Sequence, residues 1–545
     1  MISTNTVYKK IEITDVTSNG DGIAKIEGYP LFVRGAVTGD IADIEVTKTN
    51  KNYGFARLLT LRTPSVHRVS PVCPSFLKCG GCDLMHIDYG YQKELKAKFV
   101  TENMRKIGGF SLSDYTFDGI IGADGCLAYR NKAQFPVAKI NGKVTCGFYS
   151  KKSHNIVPCN TCDIQHPDIN AAVRLILDYA NEANLSVYDE KSHSGTLRHI
   201  YVRRGNGTGH LMAVLVTNSK KKLPHEEILI KKLSSLKCVK SIIQNINTDK
   251  TNLILGDSCR TVWGEDAIIS CIGDLKFKIS PHSFFQVNGA QTEKLYNKAL
   301  EYADVKKGDT VFDLYCGAGT ITLFLARSAK NAVGVEIVKA AVENAKENAE
   351  LNGITNAEFY DGDSAEIVEK LLKDGKKADV VIVDPPRKGC TAELLELIRT
   401  MRPNRLVYVS CNSATLARDA KILKSYGFKL KSLCAADMFP QTSHVETCVL
   451  LSKLKSSKSV SIELDLDDLE ITAAEARATY GEIKEYILNK YGFKVSSLNI
   501  AQVKQECGII ERENYNKPSG KYRQPKCPEH KFNAIKEALE HFKMI

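Results

Sequence analysis

A hydrophobic run long enough to cross a membrane is missing from this chain of 545 residues. No stretch approaches the roughly 18 consecutive apolar residues that a membrane-spanning helix requires. Residues 1–12 are polar and lack the apolar core of a secretory signal. The sequence also lacks internal repeats. We therefore expect a globular, cytoplasmic protein that contacts no membrane.

Cysteine, in contrast, is plentiful, with 17 residues in the chain. Thiols of a cytoplasmic protein stay reduced, so clustered cysteines indicate metal binding or catalysis rather than disulfides. The net charge of +12 is compatible with a polyanionic partner. Charge alone leaves this open, because many basic proteins bind no nucleic acid. The length exceeds what one hydrophobic core supports, so three or four domains are expected.

The sequence divides into four segments that together predict a multidomain α/β protein. Residues 1–61 alternate short β-like runs with glycine turns, which predicts a small β-barrel. Residues 62–280 contain close cysteines, hairpin signals and three predicted helices, which indicates a central α+β domain. Residues 281–454 alternate strand and helix, as in a doubly wound parallel sheet of the Rossmann type. Residues 455–545 predict a linker followed by a helical C-terminal extension.

Within that extension, residues 455–470 have the polar composition of a linker. Ser497 is the predicted N-cap of the second of two helices, which a turn at Tyr491-Gly-Phe separates. This pair could form a helix-turn-helix, although most such pairs are only packing units. Residues 517–526 are basic and predict a flexible connection to a last amphipathic helix.

A nucleotide site is predicted where strands of the third segment end. Residues 310–320 read as a strand that runs into the glycine turn of Asp313-Leu-Tyr315-Cys-Gly-Ala-Gly-Thr320 and then into a helix. A second predicted strand ends at Glu336, an acid that can accept hydrogen bonds from ribose hydroxyls. The third glycine of a dinucleotide fingerprint is lacking, so S-adenosylmethionine fits better than NAD.

Two further acids belong to this predicted site. A third strand ends at Asp384, which two rigid prolines follow, and Asp363 is expected at the adenine edge. A doubly wound domain for another nucleotide is the alternative.

A candidate nucleophile and a candidate base follow in the same segment. Cys411 stands directly after an apolar predicted strand, at the sheet edge where ligands bind in such folds. Glu446 follows a short polar turn, and its reference pKa of about 4.3 predicts an ionised carboxylate that can accept a proton. A thiol and a base beside a methyl donor suit methylation of a carbon that cannot react unaided. The alternative is that Cys411 is one of several buried, inert cysteines.

Five motifs carry a resemblance to a known family. They are Ser283-Phe-Phe-Gln286-Val-Asn288, the turn of residues 313–320, Asp384-Pro-Pro-Arg-Lys-Gly389, Ser410-Cys411-Asn412 and His444-Val-Glu446-Thr. Together they resemble the RNA uracil-5-methyltransferases, in particular the iron–sulfur branch that acts on 23S ribosomal RNA. Residues 1–61 resemble a TRAM domain, an RNA-binding barrel related to the OB fold.

The resemblance implies a site and a reaction. The reaction would be methyl transfer from S-adenosylmethionine to carbon 5 of a uridine, with Cys411 as nucleophile and Glu446 as base. The expected residues at S-adenosylmethionine are Gln286, Tyr315, Thr320, Glu336, Asp363 and Asp384. RNA is the expected partner, with 23S ribosomal RNA favoured and transfer RNA as the rival. The target uridine must be unpaired or flipped out of its helix to reach a buried thiol.

A four-thiolate site is predicted from the pattern Cys73-x5-Cys79-x2-Cys82 with Cys159 and Cys162 downstream. Zinc and a 4Fe–4S cluster both accept four thiolates, so the spacing does not choose between them. The resemblance favours a 4Fe–4S cluster on Cys73, Cys79, Cys82 and Cys162, with Cys159 as a rival fourth ligand. The cluster belongs to a different segment from Cys411, so we expect a structural or RNA-positioning role.

Two other functions compete with this interpretation. An amine methyltransferase usually places an aromatic residue after the two prolines, where this chain has Arg387, and it needs no Cys411. An RNA-binding assembly factor with a vestigial catalytic domain would not keep the nucleophile, base and donor motifs. Basic residues of the central segment could face phosphates or form a solvated strand face. They are Arg130, Lys132, Arg198, Arg203 and Arg204.

Overall fold

The computed structural model describes residues 2–151, 153–159, 161–453, 480–493, 495–507 and 527–542. The chain divides into two compact units, Met1–Lys455 and Ser456–Ile545. None of the helices in the described part of the chain combines the length and the apolarity that crossing a bilayer requires.

A closed five-stranded barrel forms the N-terminus, as the sequence predicted. Its strands are β1 (Val7–Val16), β2 (Asp21–Ile26), β3 (Tyr29–Arg34), β4 (Ile41–Thr49) and β5 (Gly54–Thr63). They pair in the order β1-β2-β3-β5-β4. Alternate side chains such as Leu31 and Val33 fill the interior with Ile13 and Ile44, whereas their neighbours face outwards. The period-2 pattern of the sequence therefore reports this barrel correctly.

Within the part of the chain that the structure describes, the central domain contains a sheet of seven strands and two helices. The elements that precede or form it are α1 (Tyr89–Lys106), β6 (Thr116–Ile121), β7 (Lys132–Ile140), β8 (Lys143–Tyr149), β9 (Ile156–Pro158), α2 (Pro167–Glu182), β10 (Leu197–Arg204), β11 (Leu211–Thr217), α3 (Glu226–Ser234), β12 (Val239–Ile246) and β13 (Ser258–Gly264). The strand order is β13-β12-β11-β10-β7-β8-β9. Asn141 and Gly142 both have positive φ, 49° and 80°, which is the backbone that a two-residue hairpin turn requires.

Two arginines of this sheet differ from both readings of the sequence. Arg203 is 1% exposed and donates to the carbonyl oxygens of Ser280 and Ser283, each at 2.7 Å. Arg198 is 5% exposed and donates to Asn247 O at 2.7 Å. Both guanidinium groups are thus used inside the protein, where they satisfy backbone carbonyls, and neither faces solvent or a phosphate.

A hairpin and an eight-stranded sheet make up the predicted doubly wound domain. The elements are β14 (Ile268–Ile272), β15 (Leu275–Ile279), α4 (Gly289–Ala303), β16 (Thr310–Asp313), α5 (Thr320–Ala326), β17 (Asn331–Glu336), α6 (Lys339–Leu351), β18 (Ala357–Asp361), α7 (Ser364–Lys373), β19 (Val380–Val383), α8 (Ala392–Met401), β20 (Arg405–Ser410), α9 (Ser413–Ser425), β21 (Phe428–Ala436) and β22 (Glu446–Lys453). The sheet order is β18-β17-β16-β19-β20-β22-β21-β6. Strands β16 to β20 are parallel, and β22 is antiparallel to both of its neighbours.

The edge strand β6 comes from a distant part of the chain. It pairs in parallel with β21, so residues that precede the central sheet complete the eight-stranded sheet. Helix α1 is fixed beside it by a buried ion pair, in which Lys96 Nζ lies 2.6 Å from Asp437 Oδ1. Both elements belong to residues 62–280, and their place in the second sheet was not predicted, because strand pairing across about 300 residues leaves no local signal. The segment boundaries themselves stay a prediction.

The second unit contains α10 (Tyr480–Tyr491), α11 (Ser497–Glu506) and α12 (Glu529–His541). A small core of Ile483, Ile487, Ile500, Ile535 and Leu539 joins them. The N-cap of α11 is Ser496, one residue before the predicted Ser497, and it forms a capping box with Asn499. The predicted linker at 455–470 and the basic connection at 517–526 lie outside the described residues.

Candidate active site

The strand order places a cleft where a doubly wound sheet usually binds its ligand. From β16 the chain moves to β17 on one side and later returns to β19 on the other, which makes a topological switch point. A cavity of about 770 Å³ opens there, at the carboxyl ends of the parallel strands. All eight residues predicted at the active and donor sites line it, namely Gln286, Tyr315, Thr320, Glu336, Asp363, Asp384, Cys411 and Glu446.

One half of the cavity is built by the glycine turn and the end of β17. Gly317 and Gly319 have φ of 54° and 80°, a backbone that residues with a side chain rarely adopt. Glu336 is oriented by the same turn, because its carboxylate accepts from Gly317 N at 3.2 Å and from Val338 N at 2.9 Å. A bound ribose would meet a carboxylate whose position is already fixed.

Asp313 leaves one buried acceptor open at this end of the cavity. Its Oδ2 accepts from the Thr322 hydroxyl at 2.6 Å, whereas Oδ1 has no hydrogen-bond partner among the described residues. Burial raises the pKa of Asp313 to about 6. An unsatisfied buried carboxylate oxygen suits a ligand with a positive charge, and S-adenosylmethionine carries an ammonium and a sulfonium. The residues present therefore fit this donor.

The remaining predicted donor residues have partners of their own. Asp363 is the N-cap of α7 and accepts from Ala365 N at 2.8 Å. The Thr320 hydroxyl shares a hydrogen bond with the Tyr296 hydroxyl at 3.1 Å. The backbone oxygen of Gln286 accepts from Asn131 Nδ2 at 3.0 Å, which leaves the Gln286 side chain for the cavity.

The other half of the cavity brings Cys411 and Glu446 to the same edge of the sheet. Cys411 follows the last residue of β20, and Glu446 is the first residue of β22. Because β22 runs antiparallel to β20, its beginning lies where β20 ends, and Thr447 pairs with Ser410 in register. The Thr447 hydroxyl also donates to Ser410 O at 3.0 Å. Strand pairing thus aligns the two functional groups, although 34 residues separate them in sequence.

Two acids in the cavity, Glu446 and Asp384, have raised pKa values. Burial raises the pKa of Glu446 to about 8, and the charge of Asp384 adds to this, while Arg387 opposes it. Burial and Asp313 raise the pKa of Asp384 to about 7. The prediction of an ionised Glu446 at neutral pH was wrong, because a reference pKa ignores the loss of hydration on burial.

The thiol of Cys411 also has a raised pKa. Burial raises the pKa of its thiol, the charges of Glu446 and Asp384 raise it further, and Arg387 lowers it. Arg387 also lines the cavity, although the motif Asp384–Gly389 alone did not indicate a place for it in the site. Its backbone oxygen accepts from Asn412 Nδ2 and Thr415 Oγ1, both at 3.3 Å. These bonds tie the proline turn to the turn that carries Cys411.

The cavity opening carries an exposed aromatic ring. Phe284 lines the cavity and its relative exposure is 67%, unusual for a phenylalanine. The preceding residue, Ser283, is held by Arg203 through its carbonyl oxygen. A flat apolar ring fixed at a cavity mouth is suited to stacking on a planar ligand.

The clustered cysteines surround a second cavity of about 360 Å³. Its lining includes the five predicted thiols, Cys73, Cys79, Cys82, Cys159 and Cys162. The donor set has the chemistry of a four-thiolate site. Among the described residues, however, no group of three or more Cys, His, Asp or Glu side chains is arranged to hold a metal ion. The Cys159 thiol donates to Thr161 O at 3.0 Å.

The two cavities share part of their walls. Arg130 and His444 line both of them. The cysteine segment and Cys411 are far apart in sequence, but the structure makes their cavities neighbours. Two side chains therefore connect the wall of the cysteine cavity with that of the candidate active site.

Comparisons with known proteins agree with this geometry. Residues 271–454 match the family model of tRNA (Uracil-5-)-methyltransferase, and residues 7–59 match that of the TRAM domain. An uncharacterized RNA methyltransferase of Clostridium tetani is 47% identical over 83% of this chain and 97% of its own length. Another from Oceanobacillus iheyensis is 46% identical over 84% of this chain and 98% of its own length.

A solved structure extends the similarity to three dimensions. The tRNA (uracil-54, C5)-methyltransferase of Pyrococcus abyssi, solved with S-adenosyl-L-homocysteine, is 28% identical with a TM-score of 0.65. The match covers 81% of this chain and all of that one. With the barrel, the switch-point cavity and both family models in agreement, the chain belongs to the S-adenosylmethionine-dependent RNA uracil-5-methyltransferases that carry an N-terminal TRAM domain.

Proposed function

We propose that this enzyme methylates carbon 5 of a uridine in 23S ribosomal RNA through a covalent cysteine–uracil adduct. Cys411 is the nucleophile and Glu446 the base. The observation that supports this proposal is the position of both groups at one edge of the sheet, in the cavity that also contains Glu336 and Asp313. An amine methyltransferase has no use for that pair.

The proposed steps follow from the low reactivity of carbon 5 of uracil. Carbon 5 of uracil is a weak nucleophile, so the Cys411 thiolate, its proton released to solvent, first forms a bond from sulfur to carbon 6. The electron pair of the carbon 5–carbon 6 double bond then makes carbon 5 nucleophilic. S-adenosylmethionine, when bound, would supply the methyl group to carbon 5, with its sulfur–methyl bond broken and S-adenosylhomocysteine as the leaving group. Glu446 finally takes the proton from carbon 5, the double bond forms again, and the thiolate of Cys411 leaves.

Arg387 has a role in two steps of this reaction, the attack by Cys411 and the proton transfer to Glu446. It is the nearby cation that lowers the pKa of Cys411 and of Glu446, while Asp384 acts in the opposite direction. A thiolate and a carboxylate are the reactive forms of these groups. We assign Arg387 the role of keeping the thiolate of Cys411 and the carboxylate of Glu446 populated near neutral pH.

The turn of Gly317 and Gly319 and the six predicted side chains around it would hold the donor. The carboxylate of Glu336, which the turn already orients, would accept hydrogen bonds from the ribose, and the open oxygen of Asp313 would suit a positive group of the donor. Asp363, Thr320, Tyr315, Gln286 and Asp384 line the same cavity and would complete the site.

The RNA enters as an unpaired or flipped nucleotide. A base inside a duplex cannot reach Cys411, which lines the same cavity as the exposed ring of Phe284. Unstacking a base costs a few kcal/mol, and an aromatic ring at the entrance offsets part of that cost.

The choice of 23S ribosomal RNA rests on the cysteine segment, which the ribosomal branch of the family carries. Transfer RNA is the second candidate, because the solved relative from P. abyssi is named for uridine 54 of transfer RNA. The same segment leads us to propose a 4Fe–4S cluster on Cys73, Cys79, Cys82 and Cys162, with a structural role. Iron and sulfide analysis of anaerobically purified protein tests this, and a protein with stoichiometric zinc and no iron would contradict it.

The decisive experiment measures tritium release from RNA labelled at carbon 5 of uridine. Transcripts of 23S ribosomal RNA and of transfer RNA are compared, with and without S-adenosylmethionine, for wild type and Cys411→Ala. Cys259→Ala is the matched control, because Cys259 is exposed and lies outside the cavity. Donor-dependent release from 23S RNA that is lost only in Cys411→Ala is expected.

Two other results would change the proposal. If tritium were released from transfer RNA alone, transfer RNA would be the substrate. Full release by Cys411→Ala would rule out the covalent adduct. Glu446→Gln gives an independent test, because an adduct that forms but cannot resolve accumulates as a protein–RNA complex that survives denaturing electrophoresis.

A further inference from the structure

Residues 437–445 form the loop between β21 and Glu446, the first residue of β22. Phe439 and His444 of this loop line the active-site cavity, as does Glu446 itself. Gln441, between them in sequence, is not part of that lining and forms hydrogen bonds with other parts of the chain. The path of the loop to Glu446 therefore passes through a residue that is fixed from outside the cavity.

Gln441 has a backbone conformation that most side chains disfavour. Its φ is 71°, in the left-handed region that glycine adopts freely and other residues rarely do. Such a conformation persists only where the surrounding structure stabilises it, and it is most frequent at functional sites. At Gln441 the stabilising contacts come from α1 and from the segment that contains the clustered cysteines.

Gln92 of α1 binds both the main chain and the side chain of Gln441. The backbone amide of Gln441 donates to Gln92 Oε1 at 3.1 Å, and Gln92 Nε2 donates to Gln441 Oε1 at 3.1 Å. Gln92 is fully buried, and its Nε2 also donates to the carbonyl oxygens of Leu84 and Ile87. The orientation of the Gln92 amide is thus fixed by partners other than Gln441.

The two residues that follow Cys82 contact the same loop. The backbone amides of Asp83 and Leu84 both donate to the carbonyl oxygen of Gln441, each at 3.0 Å. The carboxylate of Asp83 also accepts from the Ser443 hydroxyl at 3.2 Å. The cysteine segment is therefore hydrogen-bonded to the loop that ends at Glu446.

We propose that Gln441 is a positioning residue, and that Gln92 and the Asp83–Leu84 backbone keep it in the left-handed conformation that places Glu446 for proton transfer. The inference rests on the proposed function, and the residues that it adds line neither cavity. A loosened loop leaves Glu446 away from carbon 5 of the uracil, so removal of the proton slows while binding is unchanged. The covalent adduct then persists, as it does when Glu446 lacks its carboxylate.

The test compares side chains at position 441 that differ in their tolerance of a positive φ. Gln441→Ala loses the hydrogen bond from Gln92 Nε2 and keeps the strain, whereas Gln441→Gly loses the same bond and fits the backbone. Gln441→Val adds a β-branched side chain, which this region disfavours most. Asn184→Val is the matched control, because Asn184 is exposed, has a φ of 50° and lines neither cavity.

Three quantities are measured on the full-length protein: tritium release from RNA labelled at carbon 5 of uridine, the amount of adduct after denaturing electrophoresis, and the Kd of S-adenosylhomocysteine. Loss of one hydrogen bond should lower kcat of Gln441→Ala roughly 2- to 10-fold. More adduct should be present, with KM for RNA and the Kd unchanged. Gln441→Gly should be several-fold faster than Gln441→Ala, and Gln441→Val slower than both. Asn184→Val should react like wild type.

Hydrogen–deuterium exchange tests the loop without RNA. The backbone amides of Phe439, Gln441 and His444 all donate hydrogen bonds within or from the loop. Peptides that span residues 437–446 should therefore exchange faster in Gln441→Ala and in Gln92→Met than in wild type, and fastest in Gln441→Val. Gln441→Gly should stay near the wild-type rate.

Two outcomes would overturn the positioning role. One is a loop that exchanges alike in wild type, Gln441→Ala and Gln441→Val. The other is a fall in kcat without additional adduct, or without recovery in Gln441→Gly, because a general loss of structure gives that result. The proposed function fails separately. If wild type formed no adduct and released no tritium from either RNA, while exchange followed the expected order, the reaction would be wrong and the fixed conformation of the loop would stand.

Discussion

Glu446 should make the enzyme less stable as the pH rises, and Glu446→Gln should remove that loss. Its pKa is raised from 4.5 to about 8 by burial and by Asp384. Below pH 4.5 the carboxyl is protonated in both the folded and the unfolded chain and contributes nothing. Between the two pKa values the unfolded chain is ionised while the folded chain keeps its proton, so the free energy of unfolding falls with pH.

The expected magnitude follows from the same two values. The difference between 4.5 and about 8 corresponds to roughly 5 kcal/mol, at about 1.36 kcal/mol per pKa unit. This is an upper bound, because Asp384 titrates in the same cavity and shares the cost. Glutamine keeps the shape and loses the charge, so Glu446→Gln should unfold at a higher temperature than wild type at pH 8.5, with the difference shrinking towards pH 5.

The assay is thermal unfolding without ligands at several pH values between 5 and 9. Glu350→Gln serves as the matched control, because Glu350 is exposed on α6 and lies outside the cavity. It should follow the wild-type curve at every pH. Parallel curves for wild type and Glu446→Gln would refute the reasoning, since they would mean that Glu446 is ionised at little cost in the folded protein.

Three further predictions concern charged groups, two of them in the same cavity and one in the ion pair that fixes α1. Arg387→Gln should move the alkylation of Cys411 to higher pH, because the guanidinium lowers the pKa of that thiol. Peptide mapping by mass spectrometry follows Cys411 separately from the other cysteines. An unchanged dependence of its alkylation rate on pH would contradict the role of Arg387. Lys96→Met should cost about 3–5 kcal/mol of stability by leaving Asp437 buried without its partner, and adding Asp437→Leu should recover most of it. S-adenosylmethionine should gain affinity over neutral S-adenosylhomocysteine from pH 6 to 8.5, as the cavity acids ionise; a constant ratio in calorimetry would argue against this.

The strands and turns that the sequence reported correctly are those with a local signal. The barrel has period-2 alternation, the hairpin at Asn141 has two residues suited to positive φ, and the glycine turn at Gly317 stands between a strand and a helix. The side chains of the cavity were found because residues at the carboxyl ends of parallel strands must meet at one edge of the sheet.

The features that the sequence could not predict depend on contacts between residues that are far apart in the chain. Strand β6 joins β21 across about 300 residues, and Lys96 finds Asp437 across a similar distance. Arg203 looked like an exposed basic residue because the carbonyl groups that it satisfies belong to a loop nearly 80 residues later. The protonation of Glu446 was also out of reach, since burial is set by the packed fold and not by neighbours in the chain.

Three carboxyl groups with raised pKa values share the cavity. Asp313 and Glu446 are buried, Asp384 is partly buried, and the pKa of each lies above its ordinary range. Like charges in one cavity oppose each other's ionisation, and a bound cation favours the ionised forms. The methyl donor of this family is such a cation. Under the proposed function, we therefore expect donor binding to lower the pKa of Glu446, the proposed base. Donor binding would then be linked to the protonation state that the last step of the proposed reaction requires.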